Sequence, residues 1–457
     1  MTAKVVGSLV SAGISELEAQ RKARLFDMVG QLLAPSSGSE IMRWFVPGRI
    51  EVLGKHTDYG GGRSLLCTAE RGFCVAAVPR IDSLVRINDL VRRQRFEFTM
   101  SPDLHVPEHG WRVYTAVVAR RLARNFPGAL RGADIALASD LPSAAGMSSS
   151  SALVVAMFAV LSAVNRLPER EEYAANIHSI EDLAGYLGCI ENGQTFQSLA
   201  GDGGVGTFGG SEDHTAILAS QPGHLKQYAF CPVRLERAVK LPDDCTFVIA
   251  VSGVVASKTG AARAQYNRAS QASRTILEMW RSISGANDAT LATAARSSSD
   301  SLHRLRATLR QAGGESEWLL NRFEQFRLES EIIIPQACGA LAQQDLTAFG
   351  KLVDDSQVAA EKLLGNQVPE TISLAKDARS LGAFAASAFG AGFGGSVWAL
   401  VTRSEAVRFA GRWSEAYASN PNSATRKSEF FATAAGPPLI RLYTKLVNSV
   451  TTEVMVG

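Results

Sequence analysis

The chain has 457 residues, more than one hydrophobic core usually serves, so about two domains of roughly 200 residues or more are expected. Its 46% hydrophobic and 20% charged residues exclude disordered, fibrous and membrane-spanning classes. A formal net charge of +3 supplies no broad basic field for nucleic acid or anionic lipid and leaves room only for a local anion site. In chain order, apolar residues at intervals of three or four predict a helix from Ser15 to Leu33, stopped by Ala34 to Gly38. Short apolar runs follow as strands at Trp44–Val46, Ile50–Leu53, Gly72–Val78 and Leu84–Ile87, separated by turn residues. Helical patterns then cover Tyr114–Asn125, Ser151–Asn165 and Arg170–Gly188. This mixture predicts an α+β fold and not a doubly wound sheet.

The glycines between Leu199 and Gly210 are too dense for an element interior and predict a loop. A second half opens on a buried-strand pattern, Cys245–Val251, and continues with helices over Ala262–Ile283 and Asn321–Asp354, the latter interrupted at Pro335. The run Ser396–Val401 reads as a strand. The boundary is placed between 225 and 245, giving domains 1–235 and 236–457.

Cys67, Cys74, Cys189, Cys231, Cys245 and Cys338 form no Cys-x-x-Cys pair and have no histidine at ligand spacing, which argues against disulfides and structural zinc. Met1 to Gln20 has no apolar stretch of signal-peptide length, and the longest apolar run, Ala152–Val164, is about 13 residues where a membrane span needs about 20. A soluble cytoplasmic protein with small-molecule ligands and neither nucleic-acid nor membrane partners is expected, as a monomer or homodimer.

Four constellations carry possible chemistry. Ser143 to Ala152 places Gly146 and a run of serines at the start of an apolar helix, where uncovered amides and the helix dipole favour a phosphate; an ordinary capped turn reads the same way. In Pro47 to Gly62, Arg49, His56 and Asp58 suit the hydroxyls of a sugar or a phosphate, and a surface turn closed by an Arg–Asp pair also accounts for them. Asp213 and His214 behind the glycine loop fit a base, a metal ligand or a helix cap, while Glu191 fits a metal-binding carboxylate or a solvated helix face. Two other patterns are rejected. Gly390-x-Gly392-x-x-Gly395 runs into a strand instead of a helix, and Gly48 to Lys55 has one residue too many for a P-loop.

Taken in order, these blocks resemble the GHMP superfamily of small-molecule kinases, and the first resembles the galactokinases. Gly48-Arg49-Ile50-Glu51-Val52-Leu53-Gly54-Lys55-His56-Thr57-Asp58-Tyr59 is similar to the first family motif, Pro142 to Ala152 to the serine loop, and Ala391-Gly392-Phe393-Gly394-Gly395 to the third motif. Tyr266-Asn267-Arg268 resembles a further galactokinase stretch. The resemblance implies a two-domain fold with the active site between the domains, and ATP and Mg2+ as cofactors. It implies Asp213 as the base for the anomeric hydroxyl of galactose or a related sugar, and Arg49 as its charge partner. It further implies the amides of Gly146, Met147, Ser148, Ser149 and Ser150 at the ATP phosphates, Ser149 and Glu191 at magnesium, and Lys55, His56, Asp58 and Tyr266 at the sugar. Gly392, Gly394 and Gly395 would close the far wall. Two departures stand out: Lys55 replaces a glutamate that the family uses at the sugar, and Glu191 and Asp213 are 22 positions apart, about twice the family's spacing. An acidic sugar or sugar phosphate could profit from Lys55, so a kinase for a uronic acid, arabinose or heptose is the alternative, with a sugar sensor that binds without turnover as a different class. The inserted residues, Gln194 to Gly206, are expected to form a lid or a reshaped wall.

Overall fold

The computed structural model describes residues 2–33, 40–142, 145–255, 260–420 and 427–443. Its first half runs α1 (Thr2–Ser11), α2 (Glu16–Leu32), β1 (Met42–Leu53), β2 (Arg63–Pro79), β3 (Leu84–Asp89), β4 (Gln94–Thr99), α3 (Trp111–Asn125), β5 (Ala133–Ser139), α4 (Ser149–Asn165), α5 (Glu171–Ala174), α6 (Ile180–Asn192), α7 (Glu212–Ala219), β6 (His224–Ala229) and β7 (Arg234–Lys240). The second runs β8 (Cys245–Val251), α8 (Gly260–Ser284), α9 (Leu291–Arg296), α10 (Ser301–Arg310), α11 (Ser316–Arg327), α12 (Ile334–Ala342), α13 (Leu346–Ala359), α14 (Pro369–Ser380), β9 (Ala385–Ala388), β10 (Ser396–Thr402), α15 (Ala406–Ala418), β11 (Glu429–Thr433) and β12 (Ile440–Leu442). The predicted helix stop at Ala34 to Gly38 lies outside the described residues, as do Ser143 and Ala144 of the serine loop.

One sheet has the order β12-β1-β2-β5-β3-β4, with β6 pairing to β2 and β7 to β6; the other has the order β11-β8-β10-β9. The two runs expected as separate strands around Pro47 are one strand, β1. A register shift between Pro47 and Arg49 absorbs the proline, and Gly72 lies opposite it, where a Cβ would collide with the backbone of Val46 and Pro47. The helix expected over Arg170–Gly188 is divided into α5 and α6, and Ser179 caps the second by accepting from Asp182 N. Pro335 does not break its helix. The helix runs through it without ending: Leu328–Ile333, directly ahead of it, are π-helical, the local irregularity that accompanies the proline, and the chain turns only later, at Gln343 to Asp345.

Residues 235 and 236 fall inside β7, which belongs to the first sheet; the chain passes to the second sheet between Lys240 and Cys245. Near its end it returns, and β12 pairs with β1 from Arg43↔Leu442 to Phe45↔Ile440. One apolar core joins the halves, with Ile50, Leu137 and Val154 in the same cluster as Phe247, Ile334 and Trp398. Helix α4, apolar on every side, is buried through this core, which fixes where its N-terminus points.

Candidate active site

A cavity of about 370 Å³ opens where β1, the loop before α4, the end of α6, the start of α7 and the turn at Gly390 and Ala391 meet. Arg49, His56, Asp58, Gly146, Ser148, Ser149, Ser150, Glu191, Asp213 and Tyr266 all line it, so residues up to 217 positions apart (266 − 49) converge as the sequence motifs implied.

Before α4 the backbone shapes the cavity. Gly146 (φ 75°) and Ser148 (φ 55°) are left-handed, and the loop is fastened from below: Ser396 Oγ donates to Ala145 O at 2.6 Å, and Arg49 N donates to Met147 O at 3.3 Å. Met147 itself is buried, so its side chain packs while its neighbours stay at the surface of the cavity. The first amides of α4 have no partners within the helix, and the helix dipole makes this end favourable for negative charge.

Arg49 is the hub of the charged centre. Its Nε donates to Asp213 Oδ1 at 2.5 Å and its Nη1 to Gly146 O at 2.9 Å. Burial alone would lower its pKa, yet Asp213, Glu51 and Glu212 outweigh that and hold the guanidinium above its ordinary value. Ser151 Oγ lies 2.8 Å from Glu191 Oε2 and 3.2 Å from Asp213 Oδ2, linking the two carboxylates despite their separation in sequence. Sequence reasoning did not single out Ser151; it stands three residues after Ser148, one turn along α4. His214, read with Asp213 as a possible base or metal ligand, has its Nε2 3.1 Å from Glu191 Oε2.

At the sugar side, His56 is held at φ 59°, with Nδ1 2.8 Å from Tyr59 Oη, Nε2 3.0 Å from Ala391 O, and its ring 5.1 Å from that of Tyr266. Asp58 accepts from Tyr59 N at 2.8 Å and Glu212 N at 3.2 Å, an approach that leaves no space for a Cβ at Gly210. Burial pushes the Tyr266 phenol well above its ordinary pKa, keeping it a hydrogen-bond donor.

Three expected contacts are placed differently. Lys55 does not line the cavity: it is 1% exposed, and its Nζ donates to Ser387 Oγ at 2.8 Å and Ser356 Oγ at 3.4 Å. Gly392 and Gly394 are wedged instead against Asn366 and Val254, where side chains would clash, while Gly390 and Ala391 face the cavity. The insertion is a fixed wall. The Asp202 side chain is fully buried and accepts from Arg120 Nε at 2.9 Å, with Arg121 Nη1 3.7 Å away. Val205 N donates to Glu191 O at 2.8 Å, and Asn267 of α8 bonds both Phe208 N and Gly206 O. Val205, Thr207 and Gly209 thereby line the cavity from this side.

The comparisons agree with this geometry. Residues 112–190 match the GHMP kinases N terminal domain, residues 338–419 the GHMP kinases C terminal domain, and residues 36–79 the galactokinase galactose-binding signature. A galactokinase from Roseiflexus sp. (strain RS-1) is 29% identical over 373 residues, 81% of this chain and 86% of that protein. A galactokinase from Chloroflexus aggregans is 39% identical over 127 residues, 27% of this chain and 32% of that protein. Among solved structures, Lactococcus lactis galactokinase complexed with galactose superposes with a TM-score of 0.73 at 21% identity, covering 91% of this chain and 98% of that one. Methanococcus jannaschii mevalonate kinase gives 0.52 at 12% identity, covering 88% and 99%. The chain belongs to the GHMP kinases. Within that family it is a sugar kinase.

Proposed function

We propose that the protein phosphorylates the anomeric hydroxyl of galactose with ATP, as a galactokinase. The observation that carries this reading is the Arg49–Asp213 pair at 2.5 Å, set between a phosphate-binding loop and a pocket of hydrogen-bonding side chains. Phosphoryl transfer asks a protein mainly for position, charge and a base. Asp213 accepts the proton of the attacking hydroxyl, and Arg49 orients that carboxylate while meeting charge that develops on the phosphoryl oxygens. The amides of Gly146 to Ser150 hold the ATP phosphates. His56, Asp58 and Tyr266 orient the sugar.

The residues present fit magnesium. Glu191 with a hydroxyl from the first turn of α4, Ser149 at the cavity or Ser151 in contact with Glu191, is the sparse oxygen set that suits an ion completed by phosphate and water. When bound, the ion neutralises charge on the ATP phosphates.

Lys55 does not argue for an acidic sugar, because its ammonium is turned into the protein and the carboxyl groups of Glu51, Asp58 and Glu212 line the cavity instead. Purified protein with magnesium and ATP, assayed for ADP release over neutral aldoses, uronic acids and sugar phosphates, is expected to turn over galactose and reject the anionic sugars. Release of ADP only with a uronic acid or a sugar phosphate overturns the galactose reading, and no release with any sugar overturns the kinase reading.

A further inference from the structure

Two carboxyl groups beside Arg49 have no part in the chemistry above. Glu51 and Glu212 line the cavity, are 3% and 6% exposed, and flank the same guanidinium, Glu51 Oε2 at 3.5 Å from Arg49 Nη2 and Glu212 Oε1 at 4.0 Å from Arg49 Nε. Glu212 Oε2 accepts from Ser64 Oγ at 2.7 Å and Glu51 Oε2 from Arg49 Nη2, whereas among the described residues Oε1 of each has no hydrogen-bond donor. An ionised carboxylate only accepts hydrogen bonds, so two adjoining carboxyl groups with an open oxygen each are satisfied by one proton held between them. Among the described residues, the charged groups that bear most on the pair are Arg49, Lys55, Asp58 and Asp213. Those two cations are matched by two further carboxylates, which leaves no surplus positive charge to keep both glutamates ionised.

We propose that Glu51 and Glu212 act as one singly charged, hydrogen-bonded unit that positions Arg49 for Asp213 and for the phosphoryl group. Their role is positioning, since neither is assigned to the reacting atoms. Burial raises the pKa of both, most strongly that of Glu212, where Glu51 and Asp58 add to the effect, in keeping with a retained proton. Arg49 offsets Asp213, so the pair's single charge is what the anionic ATP meets. Loss of the shared proton doubles that charge next to the phosphate loop.

The inference rests on the roles given to Arg49 and Asp213, so its first test needs no turnover. With glutamate carboxyl carbons labelled with carbon-13, NMR titration of the parent is expected to show a glutamate ionising far above the usual value of about 4.3. That signal is expected to vanish in both Glu51→Gln and Glu212→Gln, because the amide donates to the remaining carboxylate in place of the proton. A parent in which every glutamate titrates in the usual range, or a high signal that survives in both variants, overturns the proposal. If the variants do not fold, the parent titration decides alone. Where they fold, the ratio of Glu51→Gln to parent kcat/KM for ATP is expected to rise with pH, by up to about tenfold per unit. A ratio independent of pH shows that Glu51 serves only structure. Failure of the kinase reading would instead show as no turnover with the NMR signal intact.

Discussion

The two sides of the cavity are built by different means. The side before α4, where we place the nucleotide, is backbone: Gly146 and Ser148 turn the chain so that amides at the start of α4 are presented, and short side chains leave them open. The sugar side is a net of buried side chains under β1 and the turn after it. Arg322 donates to His56 O, Gln325 Nε2 to Lys55 O at 3.0 Å, and Gly54 N to Glu329 Oε1 at 2.8 Å. A backbone site depends on φ and uncovered amides more than on side chains, and Met147 packs its own side chain into the core. A side-chain net responds to substitution by rearranging, and Lys55 is the case in point, drawn out of the cavity by Ser387 and Ser356.

That contrast breaks or sharpens under substitution. The largest loss of stability is expected from Asp202→Ala, which takes the neighbouring carboxylate from the buried Arg121 guanidinium, leaving it only the neutral acceptors of Asn125, Gln194 and Leu199; about 3–5 kcal/mol should disappear from the unfolding free energy in urea. Lys55→Glu is expected to destabilise by about 1–3 kcal/mol, because a carboxylate there faces Glu51 and loses two hydroxyl partners' ammonium donor. An undiminished melting temperature together with tighter galactose binding would show that residue 55 reaches the sugar. Gly146→Ala tests the backbone side: the left-handed φ of 75° costs a Cβ-bearing residue about 1–2 kcal/mol. The expected readout is a KM for ATP raised roughly five- to thirty-fold with the KM for galactose unmoved.

The smallest effect is a slope. Glu212 keeps its proton in the folded state above the ordinary carboxyl value of 4.5, where the unfolded chain releases it. Stability from this group is therefore complete below about pH 4.5 and declines as pH rises toward the folded pKa, by at most about 1.4 kcal/mol per unit. In Glu212→Gln this part of the slope should be missing from urea melts taken across pH.

Much of this was legible in the chain. Helix α4, strand β8 and the long α8 follow from periodicity and apolar runs, and the motif residues Arg49, His56, Asp58, Glu191, Asp213 and Tyr266 do converge. The pairing of β12 with β1 was not legible, because a strand of three residues nearly 400 positions from its partner carries no local signal. Nor was the fixed state of the glycine-rich insertion, whose restraint comes from Arg120 and Arg121 on α3 and Asn267 on α8. Glu51 sat in plain view within the first motif, yet alternation along a strand does not reveal that its carboxyl shares Arg49 with Glu212, which follows a different loop.

The central claim is that Asp213 takes the proton of the sugar hydroxyl. Asp213→Asn keeps the size of the side chain and removes its basicity, so kcat measured by ADP release should fall by about 10²–10⁴ while calorimetry still detects galactose binding. Turnover at the parent's kcat in Asp213→Asn would contradict the account.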